Sequence, residues 1–155
     1  MNENKIEFGK ILFPTDFSES AENASNYAIS MAEKFGSKVF AVHVVEPFTY
    51  TSDLGIDMGN QFQVMEATAK RFLEEAVTSI REKNIDVEGI LLTGEPFVEI
   101  IKFAKQEQVN LIIMATHGRS GIEHILLGST AEKVVRKSPC PVLTIKRPGQ
   151  TFSLP

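Results

Sequence analysis

Between Ala115 and Thr130 the chain reads ATHGRSGIEHILLGST, a stretch dense in glycine and hydroxyl side chains that leads into a segment of helical period. Glycines let backbone N–H groups approach and point at an anion, and a helix start adds unpaired N–H groups with partial positive charge. The combination is suited to holding a phosphate chain. The same residues also suit an ordinary loop, because Ser129-x-x-Glu132 forms a capping box in which Ser129 serves only its own helix. A second candidate is Asp16, which follows a strand-like run and is either a carboxylate at a strand mouth or a helix cap. Within the loop, Arg119 is suited to terminal phosphates or to solvent, and His117 to shaping the backbone. His43 lies inside a strand-like run and reads as a core or rim histidine, and Glu123 and His124 as the outer face of a short turn.

Other chemistries lack their residues. No Gly-x-x-x-x-Gly-Lys-Ser/Thr run is present, so the lysine that reaches β- and γ-phosphates in that class is missing. No Gly-x-Gly-x-x-Gly follows the first strand, which disfavours a dinucleotide site. The third strand ends in Thr93-Gly94 without an aspartate for phosphoacceptance, and Gly118-Arg-Ser-Gly121 has the wrong spacing for a hydrolase elbow. His117 and His124 have no cysteine nearby, so no resident metal site is expected. Glu74 and Glu75 are adjacent on a helix, face different ways and read as solvated charge.

These residues must be carried by a scaffold, and the hydrophobic periods describe one. Five β-rich runs, near 10–14, 38–45, 87–93, 110–115 and 141–146, alternate with helical stretches, the order of a mostly parallel sheet covered by helices. Ala21, Ala24, Ala28, Met31, Ala32 and Phe35 mark the first helix, with Asp16 or Ser18 as its cap and Gly36 as its stop. Met65, Ala69, Phe72, Ala76 and Ile80 mark the buried face of a second, over about 62–83. Pro96 suits the first turn of a third, and Ser129 to about Lys137 forms the fourth. The connection 46–60 is long for a compact domain and suits a lid, a short helix or a partner-binding loop.

With 155 residues, 43% hydrophobic and 23% charged, the chain has the composition of one globular domain, expected over 1–147 with a frayed tail at 148–155. A net charge of −4 offers no global basic field for nucleic acid. The single cysteine, Cys140, excludes an internal disulfide and fits a reducing compartment. Neither a signal peptide nor an apolar run near the roughly 18 residues of a membrane span is present, so a cytoplasmic location is expected.

The run Ile11-Leu-Phe-Pro-Thr-Asp-Phe-Ser18, the His43-Val44 strand end, Gly94-Glu-Pro96, and the loop from His117-Gly-Arg-Ser-Gly121 through Leu126-Leu-Gly-Ser129 to Ser138-Pro-Cys-Pro-Val142 together resemble the universal stress protein family, in its nucleotide-binding branch. The resemblance spans about Lys10 to Lys146. The family's ATP signature is Gly, two residues, Gly, nine residues, Gly, then Ser or Thr; Gly118, Gly128 and Ser129 fit, while Ala115 stands where the first Gly would be. The resemblance implies an α/β, Rossmann-like open sheet of five parallel strands in the order 3-2-1-4-5, with helices on both faces. It implies that Pro14, Thr15, Asp16 and Val44 border adenine and ribose, and that Ala115, Thr116, His117, Gly118, Arg119, Ser120, Gly121, Gly128, Ser129 and Thr130 wrap ribose and phosphates.

It further implies ATP, or AMP or ADP, as ligand, with Mg2+ entering only through the phosphates. A homodimer would form through the edge strand Val142, Leu143, Thr144 and Ile145, its extent limited by Pro139 and Pro141, and act in the stress response on an unknown protein partner. Hydrolysis would be slow at most. Two alternatives from other classes are a nucleotide-independent interaction module, which Ala115 favours, and an ATP hydrolase using Asp16 and His117.

Overall fold

In the computed structural model, which describes residues 6–47, 58–118 and 127–149, the apolar runs and helical stretches alternate as nine elements. They are β1 (Lys10–Pro14), α1 (Glu19–Phe35), β2 (Lys38–Val45), α2 (Met58–Arg81), β3 (Val87–Thr93), α3 (Pro96–Gln106), β4 (Leu111–Ala115), α4 (Ser129–Lys137) and β5 (Val142–Ile145). The strands form one parallel sheet in the order β3-β2-β1-β4-β5. Asn110, expected to open β4, pairs its backbone N–H with the Lys10 carbonyl at 2.9 Å but lies one residue outside the strand.

Alternation along the strands divides the core between the two faces. Ile11, Phe13, Val39, Ala41, Val87, Leu111 and Ile113 face α1 and α2. Leu12, Phe40, Val42, Ile112 and Met114 face α3 and α4. Ile11, Leu12, Ile112 and Ile113 are fully buried, each contributing about 1.5–3 kcal/mol of transfer free energy. Covering both faces is what makes β4 a continuous apolar run.

Local signals set the helix ends. Ser18 caps α1 by accepting the Ala21 N–H at 3.2 Å, and Gly36 ends it in the left-handed conformation, φ 66°. Ala21, Ala24, Ala28 and Ala32 are buried, and their small side chains bring α1 close to β4; Phe35 is exposed and stacks on Phe8. Pro96 is the first residue of α3. Two expectations are corrected. The buried face of α2 is Ala69, Leu73, Val77 and Ile80, whereas Phe72 and Ala76 flank it half-buried and Met65 is exposed. The helix also begins at Met58, inside what reads as a long connection; positions 48–57 of that connection lie outside the described residues.

Candidate functional site

Strand order dictates where a site can form. From β1 the chain proceeds outward to β2 and β3, then crosses back to β4 and β5, so the crevice beyond the carboxyl ends of β1 and β4 is the switch point where the connections part. Three segments distant in sequence reach it: the β1–α1 turn with Thr15 and Asp16, the residues Thr116 to Gly118 after β4, and Gly128 to Thr130 at the start of α4.

The β1–α1 turn is tightly specified. Thr15, itself buried, donates its N–H to the Val42 carbonyl at 2.9 Å, extending the β1–β2 pairing past Pro14. Its hydroxyl accepts the Phe17 N–H at 3.1 Å, and Asp16 Oδ1 accepts the Ser18 N–H at 3.0 Å. The capping alternative for Asp16 is not realised, because Ser18 is the cap; Asp16 Oδ1 instead serves the turn just ahead of α1. Phe17 sits at φ 63°, a left-handed conformation that costs a bulky residue about 1–3 kcal/mol and needs compensation. That compensation comes from packing, since its ring lies 4.4 Å from the imidazole of His43 and 5.6 Å from Phe72.

The β4 side is held through Thr116. Its N–H donates to the Ile145 carbonyl at 3.0 Å, its carbonyl accepts the Gly128 N–H at 2.7 Å, and its hydroxyl is 3.0 Å from Nδ1 of His117. Thr116 thereby fastens the end of β4 to both β5 and the start of α4. The two signature glycines are places of close approach. A Cβ on Gly118 would stand 2.5 Å from Oδ2 of Asp16, and one on Gly128 would stand 3.1 Å from the Thr116 carbonyl oxygen. Gly118 brings bare backbone against the carboxylate of a turn a hundred residues earlier in the chain.

Gly128 is the N-cap of α4, in extended conformation, and Glu132 pairs with Arg136 at 2.7 Å. The capping box expected from Ser129 and Glu132 is thus not formed: Ser129 is the first residue of the helix rather than its cap, and it is exposed. Ala115 ends β4 in register with Ile145, a regular strand position at which glycine's conformational freedom is not required. Pro14 and Val44 lie half-buried at the ends of β1 and β2, on the face covered by α3 and α4. Arg119, Ser120 and Gly121, with Glu123 and His124, lie outside the described residues.

His43 belongs to this region although its position inside a strand hides it. Its Nδ1 is 2.7 Å from the Thr15 carbonyl oxygen, and since a carbonyl only accepts, Nδ1 carries the proton. The signal available from sequence was its place near the end of β2, on the face opposite Val44. Glu74 and Glu75 are exposed on α2, as their adjacency implied. Among the described residues no three His, Cys, Asp or Glu side chains come together as a metal site, and no helix is long and apolar enough to cross a membrane.

At the edge of the sheet, Leu143 is 37% exposed, Val142 and Thr144 are half-buried, and Ile145 is buried in the protein's own core. The opposite edge, β3, presents Glu88 paired with Lys38 at 2.7 Å, an interaction that raises the lysine pKa. One edge is therefore blunted by charge and the other is apolar.

Comparison with known proteins agrees with this architecture. Residues 7–146 match the model of the universal stress protein family. The universal stress protein MJ0531 of Methanocaldococcus jannaschii is 33% identical over 145 residues, covering 91% of this chain and 84% of that protein. The solved structure of MJ0577, from the same organism, superposes with a TM-score of 0.83 at 32% identity, covering 93% of this chain and 99% of the other. A universal stress protein of Archaeoglobus fulgidus, solved in complex with dAMP, superposes with a TM-score of 0.62 at 26% identity, covering 92% and 100%. With its five-stranded order, its switch-point glycines and a family match over almost its entire length, the chain belongs to the universal stress protein family.

Proposed function

We propose that this protein binds an adenine nucleotide at the β1/β4 crevice and acts as a homodimer whose nucleotide occupancy is read by a protein partner during stress. The observation that carries the reading is the meeting of Asp16, Gly118 and the Gly128 cap of α4 at the switch point, where glycine lets the end of β4 approach both the β1–α1 turn and the start of α4. A helix N-terminus with a side-chain-free cap suits phosphate oxygens. Asp16 suits the other end of the ligand, because a carboxylate accepts hydrogen bonds from ribose hydroxyls or an exocyclic amine and repels phosphate. The dAMP complex of the Archaeoglobus fulgidus relative supports the same ligand class.

In this reading Pro14, Thr15, Asp16 and Val44 border the nucleoside, and Ala115 to Gly121 with Gly128 to Thr130 wrap ribose and phosphates. Mg2+ is held through the phosphates. The partner is coupled by linkage: nucleotide stabilises one arrangement of the loop after β4, and the partner prefers that arrangement. Hydrolysis is slow at most, and the protein works in the cytoplasm. The dimer forms along β5, whose exposed apolar edge is covered by the same strand of a second copy.

The test is to denature freshly purified protein with acid, separate the released small molecules by ion exchange and detect them near 260 nm, where a chain without Trp contributes little. Near-stoichiometric AMP, ADP or ATP is the expected result. An empty extract, combined with no heat of binding on titration with ATP, overturns the reading in favour of a nucleotide-independent interaction module.

A further inference from the structure

The β1–α1 turn holds an energetically unfavourable backbone conformation next to the carboxylate that the nucleotide reading needs, and the residue holding that turn comes from a different strand. His43 Nδ1 donates to the carbonyl of Thr15, the residue before Asp16, at 2.7 Å. The face of its imidazole packs on Phe17, the residue after Asp16, with ring centroids 4.4 Å apart and planes inclined by 32°. Phe17 is the residue with φ 63°, and its ring centroid also lies 5.6 Å from that of Phe72 on α2. Asp16 is thus held at both neighbours by one imidazole, while its own Oδ1 is engaged by the Ser18 N–H and its Oδ2 lies against Gly118.

We propose that His43 is a positioning residue for nucleotide recognition: it sets the peptide and ring on either side of Asp16 and so aims the Asp16 carboxylate into the crevice. The inference rests on the nucleotide reading above and adds to it a residue that the signature does not contain. His43 lies on the α1/α2 face of the sheet, opposite the face on which Val44 lies, so it acts through the turn and not by touching the ligand. The two halves of its role are separable. A side chain with a donor at the position of Nδ1 keeps the bond to Thr15, and a side chain with a ring alone keeps only the contact with Phe17.

The experiment compares the full chain with His43→Asn, whose amide nitrogen occupies the place of Nδ1, His43→Phe, which keeps a ring without a donor, Asp16→Ala, and the double variant His43→Phe/Asp16→Ala. Each is titrated with ATP and followed through thermal unfolding. The expected result is that H43F weakens ATP binding about tenfold, the scale on which a misaimed Asp16 carboxylate loses one charge-assisted hydrogen bond to the ligand, while H43N stays within about threefold of wild type. In the double variant H43F adds nothing to D16A, because it acts through the carboxylate. ATP affinity unchanged in H43F, an equal loss in H43N, or full additivity with D16A overturns the role of His43 and leaves the nucleotide reading standing. No ATP binding by the wild type, or wild-type affinity in D16A, overturns the assignment of Asp16 and the role of His43 with it. Nitrogen NMR of the wild-type imidazole provides a check that needs no variant: Nδ1–H is the expected tautomer, and an Nε2–H tautomer overturns the proposal.

Discussion

At Gly128 a single methyl group separates a close approach from a clash. The backbone there is extended, with φ −63°, and tolerates a side chain conformationally, so the demand for glycine comes from space. Gly128→Val would press its Cβ on the Thr116 carbonyl oxygen, the acceptor of the 2.7 Å bond that joins the end of β4 to the start of α4. We expect G128V to lose ATP binding by more than about 100-fold, a shift of roughly 3 kcal/mol or more, while remaining folded and dimeric. ATP titration together with sedimentation checks this, and retained affinity refutes the placement of phosphate at α4. Gly118 is tighter still, since its Cβ would meet the Asp16 carboxylate itself. Ala115, by contrast, occupies an ordinary strand position, so its departure from the family signature adds no backbone strain.

At the scale of the element, α2 lies against β3 at a glycine. A Cβ on Gly89 would stand 2.8 Å from Cγ2 of Val77 and 3.3 Å from Cγ of Leu73. This close approach seats Leu73 and Val77 on the sheet and rotates the buried stripe of α2 away from Met65 and Phe72. Phe72, left on the flank, is then placed to meet Phe17 at the turn. Gly89→Val should destabilise the fold by about 1–3 kcal/mol through overpacking, read as a lower urea midpoint at unchanged slope. A loss of nucleotide affinity accompanying this change would show that the α2 contact to Phe17 contributes to the site. The stripe expected from Met65, Ala69, Phe72, Ala76 and Ile80 differs from the observed face because helical period defines a broad apolar arc, and only the neighbour decides which part of it is pressed inward.

At the scale of the whole molecule, the sheet ends in two unlike edges. Glu88 on the edge strand β3, paired with Lys38 of β2, discourages pairing there, while β5 exposes Leu143 between half-buried Val142 and Thr144. Ile145 is committed to the protein's own core and offers a partner only its backbone. Leu143→Glu should convert the proposed dimer to a monomer, seen as a halved mass by sedimentation equilibrium and a melting temperature that no longer rises with protein concentration. A wild-type protein that is already monomeric refutes the dimer, and an L143E dimer places the interface elsewhere. Thr116 makes the edge relevant to the site, since it bonds Ile145 of β5 through its N–H and Gly128 through its carbonyl.

Local chemistry made much of the element list legible: the bounds of β1, β2, β3 and α4, the Gly36 stop and Pro96 at the start of α3, with Ser18 as one of two cap candidates, because periods, caps and proline act within a turn or two of the chain. The glycine-rich loop was legible as a candidate anion site for the same reason, and the strand order only through the family resemblance. What tertiary structure decided is which distant residues meet. Ser129 reads as a cap until the chain places Gly128 at that position, bonded to Thr116. Asp16 reads as a cap or a carboxylate at the strand mouth, and the structure gives the cap to Ser18 and sets Asp16 against Gly118; His43 reads as a core or rim histidine, and the structure identifies the Thr15 carbonyl as the group that satisfies it. Those contacts join residues a dozen to a hundred positions apart, and no local period records them: they exist only once parallel pairing of β1 with β2 and β4 has fixed the register of the sheet.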